Sequence, residues 1–295
     1  MYPSIIKNKS LPNILVFGGT GYLGGNLVNR MINKFSLNEK YNIIVLSSKK
    51  NAKKHETVFK NVYLFNNINC FDVDTYKDLL PNGSKNQKCK YIIHSIGIFN
   101  TNLAYKELIN NKSICKIPFV LTNYICSMAK TNFDKDDTKT HISNVKQFYK
   151  WNYQSLENIA ENVSNPKAKL IYISANKSPL ASKEYIDSKR LSEKLLIKKS
   201  KESCLDSIIF RPGIIYDTRL KKLSVWQIIK ILLKSDNKIS LRDLINYLVS
   251  NDFVFNKKLY FTNIDKLNDK ICEKIVEAEN SEIKSNGEII KNSDI

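Results

Sequence analysis

The chain has 295 residues, 42% of them apolar and 25% charged, which is the balance of a globular protein and excludes extensive disorder away from the ends. Its formal charge is +19, yet arginine occurs only at Arg30, Arg190, Arg211, Arg219 and Arg242, and the many lysines are scattered along the chain. Because phosphate recognition draws on bidentate arginine contacts, a nucleic-acid partner is not expected, whereas attraction to an anionic lipid surface stays open.

None of the six cysteines (Cys70, Cys89, Cys115, Cys126, Cys204 and Cys272) forms a Cys-x-x-Cys pair, and His55, His94 and His141 lie far apart. Neither a zinc pattern nor a disulfide framework is present, so no metal site is expected and a reducing compartment fits. Apolar runs all fall short of the roughly 18 residues needed to span a bilayer. Residues 1–12 carry Lys7 and Lys9 and no acid, as a short mitochondrial import segment would. The first strand, at Asn13, leaves such a segment little room.

In chain order, Asn13–Phe17 is a short apolar strand, followed by a glycine turn and a helix over Tyr22–Lys34. Strands follow at Asn42–Leu46 and Val62–Phe65. A helix with Tyr76, Leu79 and Leu80 on one face ends before the turn Pro81-Asn82-Gly83. Tyr91–Ser95 is a fourth strand. Residues 99–145 are polar and irregular and read as an insertion before a helix over Gln147–Val163. Lys169–Ser174 is the fifth strand, Lys183–Lys201 a helix, and Ser207–Phe210 the sixth strand, closed by Arg211-Pro212-Gly213. Apolar strands alternating with helices predict an α/β fold, a Rossmann-type doubly wound parallel sheet over residues 13–217. Beyond it, apolar helical segments at Val225–Leu233, Leu241–Val249 and Asn263–Glu277 predict a small, mostly helical lobe over 218–280. Residues 281–295 read as a polar, frayed tail. Val225–Leu233, with Trp226 and flanking lysines, suits either a membrane surface or a lobe helix packed on the main domain.

Gly18, Gly21 and Gly24 form a Gly-x-x-Gly-x-x-Gly turn between an apolar strand and an apolar helix. Glycines there permit a tight turn and let backbone approach a pyrophosphate, and the helix start offers free N–H groups to an anion. A nicotinamide dinucleotide is the expected ligand. At the end of the second strand an NAD site places an acid for the ribose hydroxyls. This chain has Ser47-Ser48-Lys49-Lys50 instead, which favours the 2′-phosphate of NADP(H) over NAD(H) unless those lysines are merely solvated.

Tyr185 and Lys189 form a Tyr-x-x-x-Lys pair, i and i+4 on one helix face. A nearby ammonium lowers the pKa of a phenol from about 10 toward neutrality. Such a tyrosine can exchange a proton with a carbonyl or alcohol while hydride moves.

The glycine turn, Tyr185 with Lys189, Asn152 on the preceding helix and Arg211-Pro212-Gly213 together resemble the extended and atypical short-chain dehydrogenase/reductase superfamily, over about Asn13 to Asp217. The stretches Leu15-Val16-Phe17-Gly18-Gly19, His94-Ser95-Ile96-Gly97-Ile98, Tyr172-Ile173-Ser174-Ala175 and Tyr185–Arg190 are similar to the branch holding the fungal mitochondrial ubiquinone (coenzyme Q) biosynthesis protein. That branch is itself similar to the NADPH-holding accessory subunit of respiratory complex I. The resemblance implies cofactor contacts from Gly18, Gly19, Thr20, Gly21, Tyr22, Leu23 and Gly24, from Ser47, Ser48, Lys49 and Asn67, and from Ser95, Ile96 and Gly97. Tyr185, Lys189, Arg211, Pro212 and Gly213 complete that set. It implies Tyr185, Lys189, Ser174 and Asn152 as the catalytic set. It further implies a place on the matrix side of the inner mitochondrial membrane, peripheral membrane contact, an apolar quinone-like substrate and a coenzyme Q biosynthetic assembly as partner.

Two departures from that pattern stand out. The Ser or Thr expected just after the fifth strand falls near Asn176, with Ser174 early and Ser178 as a substitute. The family's acid after the third strand is replaced by Asn67. The pair Tyr185 and Lys189 therefore has two readings: proton transfer in an oxidoreductase, or ribose binding in a subunit that holds cofactor without turnover. An RNA-binding member of the atypical group is a third reading, prompted by charge alone.

Overall fold

The structure, a computed structural model, describes residues 6, 8–50, 59–81, 88–99, 138–163, 165–177, 181–202, 204–216, 261–280 and 287–295. The segments Val225–Leu233 and Leu241–Val249, Ser178, and most of the 99–145 insertion lie outside them.

Seven strands form one sheet: β1 (Asn13–Phe17), β2 (Asn42–Leu46), β3 (Val62–Phe65), β4 (Cys89–His94), β5 (Lys169–Ile173), β6 (Asp206–Arg211) and a last strand, β9 (Glu288–Lys291). Their order is β3-β2-β1-β4-β5-β6-β9, and every pairing is parallel. The expected doubly wound α/β fold is what forms. A separate pair joins β7 (Ile214–Tyr216) to β8 (Phe261–Asn263).

Both faces of the sheet are covered, which is why β1 and β2 are buried at every position. On one face Ile14, Val16, Ile43, Val45, Ile93 and Ile171 pack against α1 (Tyr22–Asn33) and α6 (Ile264–Asn280). Residues one step along each strand, Leu15, Phe17, Ile44, Ile92, Leu170 and Tyr172, point to the other face. There they meet Leu156, Ile159 and Ala160 of α4 (Ser155–Glu161) and Leu196 of α5 (Lys183–Lys201). Helix α1 turns Leu27, Val28, Met31 and Ile32 inward at helical spacing. Arg30 of α1 pairs with Asp265 and Asp269 of α6, tying the two helices at their solvent edge.

Four expectations are corrected. Tyr76, Leu79 and Leu80 are buried, but their segment forms two short 3₁₀ turns, Val73–Thr75 and Lys77–Leu79, where a helix was expected. Asp72 caps the first of these by accepting from the Asp74 N–H, a local bond that competes with a longer helix. The helix before β5 begins earlier, at α3 (Thr138–Phe148), and runs through a π turn (Tyr149–Gln154) into α4. The segment expected as the third lobe helix is α6, which packs on α1 and the sheet.

The fourth correction concerns the polar tail, which supplies β9. Its carbonyls and N–H groups extend the β6 ladder, Ile290 is 4% exposed, and Lys274 of α6 pairs with Glu288 at 3.0 Å. Alternation within only four residues is too short a signal to mark a strand from sequence. At the opposite end of the chain, Ile6 is buried, and Asn42 donates to the carbonyls of Asn8 and Leu11, so residues read as an import segment pack onto the base of the sheet. Replacing Ile290 with Ala is expected to lower unfolding stability by about 2–4 kcal/mol, as a core truncation does. A frayed tail would show no shift in the urea midpoint.

Candidate active site and dinucleotide crevice

The strand order reverses between β1 and β4, and in open parallel sheets ligands bind at the carboxyl ends of the strands at such a point. The glycine turn leaves β1 there. Gly18 has φ +77°, a conformation that penalises any side chain, and its carbonyl accepts from the Gly21 N–H at 2.8 Å. Gly24 meets the turn from helix α1. A Cβ added to it would stand 2.4 Å from the Gly18 oxygen and 2.6 Å from the Ser95 hydroxyl oxygen. Ser95, at the end of β4, donates to the Phe17 carbonyl at 2.7 Å and so backs the turn from behind. An added Cβ on Gly18 would also lie 3.2 Å from Ile96. Helix α1 starts at Gly21 with no side-chain cap and no acid in its first turn, so its leading N–H groups and positive dipole end are left for an anion. Tyr22 and Leu23 form that first turn, and Leu23 packs on the core beneath it.

Beside the turn, the Thr20 and Ser47 hydroxyls lie 2.9 Å apart, and Ser47 also accepts from the Lys49 N–H. Ser47 is buried, whereas Ser48, Lys49 and Lys50 are exposed at the end of β2. Asn67 is exposed with φ +59°, while the neighbouring Asn66 has its side-chain oxygen buried with no hydrogen-bond partner.

On the other side of the crevice, Asn152 sits in the π turn and is fully buried. Its side chain clasps the backbone of Ile98, accepting from the N–H at 2.9 Å and donating to the carbonyl at 3.2 Å, and it donates to Ser188 at 3.1 Å. The π turn itself is braced from below. Ser155 donates to the Trp151 carbonyl at 2.7 Å, so the His94 Nε2–H donates to Ser155 at 3.0 Å. Tyr172 and Ser192 both donate to the Asn152 carbonyl. Burial, with the nearby Lys189 charge, pulls His94 down to about 3, so its imidazole is neutral at ordinary pH.

Lys189 is 4% exposed and donates to the Ile173 carbonyl at 3.0 Å. Gly97 makes room for it: a Cβ there would stand 2.9 Å from Asn152 Oδ1 and 3.2 Å from Lys189 Nζ. Burial drives the Lys189 ammonium down to about 7, against the opposing pull of Glu193. Tyr185, one turn earlier, is bordered edge-on by Phe99 and Phe148, with ring centroids 5.1 and 5.9 Å away. The helix that carries both residues is capped by Ser182, which accepts from the Tyr185 N–H.

The structure thus brings Gly18, Gly19, Thr20, Gly21, Gly24, Ser47, Ser95, Ile96, Gly97, Asn152, Tyr185 and Lys189 to the carboxyl ends of the strands. Four other expected residues serve different partners. Ser174 donates to Glu193 and also lies 3.3 Å from the Arg190 guanidinium. Arg211 grips the same carboxylate with Nε at 2.9 Å and a terminal nitrogen at 2.5 Å. The Pro212 carbonyl accepts from Asn176, and the Gly213 N–H donates to Thr262 and Asn292. Glu193, 2% exposed, is the residue that sequence reasoning missed. Its signal was present: it follows Lys189 by four residues, so a carboxylate lies on the buried face of the helix.

A family model described as "Male sterility protein", an NAD-binding family, matches residues 16–230. The chain belongs to that NAD-binding family. It is an extended short-chain dehydrogenase/reductase-type protein, and a nicotinamide dinucleotide is its cofactor. Among solved structures, UDP-glucuronic acid 4-epimerase from Bacillus cereus, in complex with NAD, aligns with a TM-score of 0.52 at 15% identity, over 95% of this chain and 77% of that one. Uronate dehydrogenase from Agrobacterium tumefaciens aligns with a TM-score of 0.52 at 12% identity, over 96% and 77%. At such identities the likeness is one of fold. No curated protein matches the sequence.

The residues present fit the family's cofactor. Gly24 and Gly97 allow close approaches that a methyl group would block, Gly24 to Gly18 and Ser95 and Gly97 to Asn152 and Lys189, and the uncapped start of α1 faces the turn. Gly18, Gly21 and the first N–H groups of α1 would hold the pyrophosphate, and Lys189 the ribose hydroxyls. Among the described residues no His, Cys, Asp and Glu cluster could hold a metal ion.

Two outcomes follow. Gly24→Ala should weaken NADPH binding at least ~10-fold in a fluorescence titration, a change of about 1.4 kcal/mol. Gly25→Ala, whose Cβ would stand 3.5 Å from its nearest neighbour, should leave it unchanged. Lys189 titrates near 7 when folded and near 10.5 when unfolded, so the unfolded chain binds the extra proton between those values and stability rises with pH across that window. From pH 7 to 9 the native protein should gain about 2 kcal/mol relative to Lys189→Met, read by urea unfolding at each pH.

Proposed function

We propose that this protein is an NADP(H)-dependent oxidoreductase of ubiquinone biosynthesis, acting on a quinone-ring precursor or a similar apolar carbonyl compound. The observation that carries the reading is the survival of both members of the proton-transfer pair, with Tyr185 bordered by two phenyl rings at the crevice. When bound, the dinucleotide supplies or accepts the hydride. The Tyr185 hydroxyl gives its proton to the substrate oxygen as a carbonyl becomes an alcohol, and takes it back in reverse. Lys189, when protonated, stabilises the resulting phenolate. Phe99 and Phe148 suit a flat apolar ring better than a sugar, whose hydroxyls would be left without partners against them. NADP(H) is preferred to NAD(H) because the end of β2 offers exposed Ser48, Lys49 and Lys50 and no acid.

The resemblance noted from the sequence supports a site of action on the matrix side of the inner mitochondrial membrane, within a coenzyme Q biosynthetic assembly and in peripheral contact with lipid. The net charge of +19 is compatible with an anionic leaflet, and nucleic acid is not among the proposed partners. No helix of the described residues is long and apolar enough to cross a membrane.

A second reading, a subunit that holds NADPH without turnover, is favoured by one specific observation. The Ser174 hydroxyl is spent on Glu193, and Asn176 stands where a Ser or Thr was expected to hold a substrate carbonyl. Quinone profiling of cells carrying Tyr185→Phe or Gly21→Trp separates the two. The oxidoreductase reading expects both variants to lose ubiquinone, with NADPH affinity kept in Tyr185→Phe to within about twofold. Normal ubiquinone in Tyr185→Phe with loss in Gly21→Trp establishes the cofactor-holding subunit, and normal levels in both refute a role in this pathway.

A further inference from the structure

Arg211-Pro212-Gly213 leaves β6 at the carboxyl edge of the sheet, where the chain departs into β7 and returns through β8. The Gly213 N–H donates there to two acceptors at once, the Thr262 hydroxyl oxygen at 2.7 Å and Asn292 Oδ1 at 3.1 Å. The Thr262 hydroxyl in turn donates to the same Asn292 oxygen. Thr262, in β8, and Asn292 are 3% and 7% exposed. Asn292 follows β9, one residue past the pairing of Lys291 with Arg211, so it sits beside the turn. Two segments, 49 and 79 residues further along the chain, thus converge on one backbone N–H.

That N–H is one end of a peptide unit whose other end, the Pro212 carbonyl, accepts from the Asn176 N–H at 2.6 Å. A peptide unit is planar, with its N–H and C=O pointing in opposite directions. It cannot turn its N–H toward another acceptor without drawing its carbonyl away from Asn176. Asn176 stands just past β5, and Lys189 donates to the Ile173 carbonyl at the end of that same strand. The adenosine half of a dinucleotide lies toward the end of β2. Its nicotinamide half then falls on the other side of the point where the strand order reverses, toward β4 and β5.

We propose that Thr262 and Asn292 are positioning residues for the nicotinamide half of the cofactor. They hold the peptide unit between Pro212 and Gly213, and through it the chain after β5 that walls this side of the crevice. Losing one acceptor leaves the Gly213 N–H the other. Losing both orphans a donor that faces two buried side chains, which costs far more than either loss alone. The two positions therefore act non-additively. The inference rests on the family's dinucleotide and holds whether or not the crevice turns over.

Titration of the full chain with a dinucleotide and with its adenosine half tests this. The ligands are NADPH with 2′,5′-ADP, or NADH with ADP, according to which dinucleotide the wild type binds more tightly. Thr262→Val and Asn292→Leu alone should each change dinucleotide affinity by less than ~3-fold. Together they should lower it at least ~20-fold, while the adenosine half keeps its affinity to within about twofold. Thr262→Ser in place of Thr262→Val returns the hydroxyl and should bring the pair back to within about threefold of wild type. Ile290→Ala weakens the same strand without touching Gly213, and should lower both affinities equally or neither. An additive pair, equal loss of both ligands in the pair, a rescue that fails, the same selective loss in Ile290→Ala, or a wild type that binds neither dinucleotide overturns the proposal. Should the pair not fold, amide hydrogen exchange decides. The Asn176 N–H should exchange at least ~3-fold faster in each single variant than in wild type, and an unchanged rate overturns the proposal.

Discussion

One buried carboxylate organises the far side of the crevice. Glu193 is 2% exposed and is held by Arg211 through two nitrogens, by Arg190, and by the Ser174 hydroxyl. These partners come from β6, α5 and the end of β5. A desolvated charge at that junction is tolerable only while the whole set is in place, because removing one partner leaves another charge buried and unmatched. The carboxylate therefore fixes where α5 lies against the strand ends, and α5 carries Tyr185 and Lys189. Arg190 extends the clamp to the Ala175 carbonyl, just past β5.

Two further devices meet that helix from the opposite side. The π turn adds a residue to one helical turn, and its extra freedom lets Asn152 reach the Ile98 backbone with its side chain while its own carbonyl is held by Tyr172 and Ser192. Beneath it, neutral His94 and Ser155 form a short relay of hydrogen bonds to the Trp151 carbonyl. Gly97 supplies the space in which these parts converge. The lowered pKa of Lys189 follows from this packing: the buried ammonium lies over the Tyr172 ring and against the Ile173 carbonyl, with Glu193 offsetting only part of the desolvation.

The glycine turn works by a different economy of space. Gly18, Gly24 and Ser95 approach so closely that backbone and hydroxyl occupy the positions side chains would take. The two sides of the crevice are thereby built by separate structures, β1 with α1 on one side and α5 with the π turn on the other. The glycine turn is therefore independent of the arrangement after β5, where Ser174 bonds to Glu193.

The sequence by itself determined the sheet, the glycine turn and the Tyr-x-x-x-Lys helix, because each is written in a local period: runs of Ile, Val and Leu in β1, β2 and β4, glycines three apart, and polar residues four apart on α5. It also marked the departures at Asn67 and after β5. What it could not show were the features made by residues far apart in the chain. Arg211 and Ser174 were read as site residues, and the structure shows what neither motif could, that both are bonded to Glu193, 18 and 19 positions away. The tail read as polar and frayed, whereas four of its residues pair with β6, since so short a strand carries no period of its own and is stabilised by the neighbour it joins. Only the tertiary structure decided these assignments, because a buried charge and an added strand are both defined by their partners.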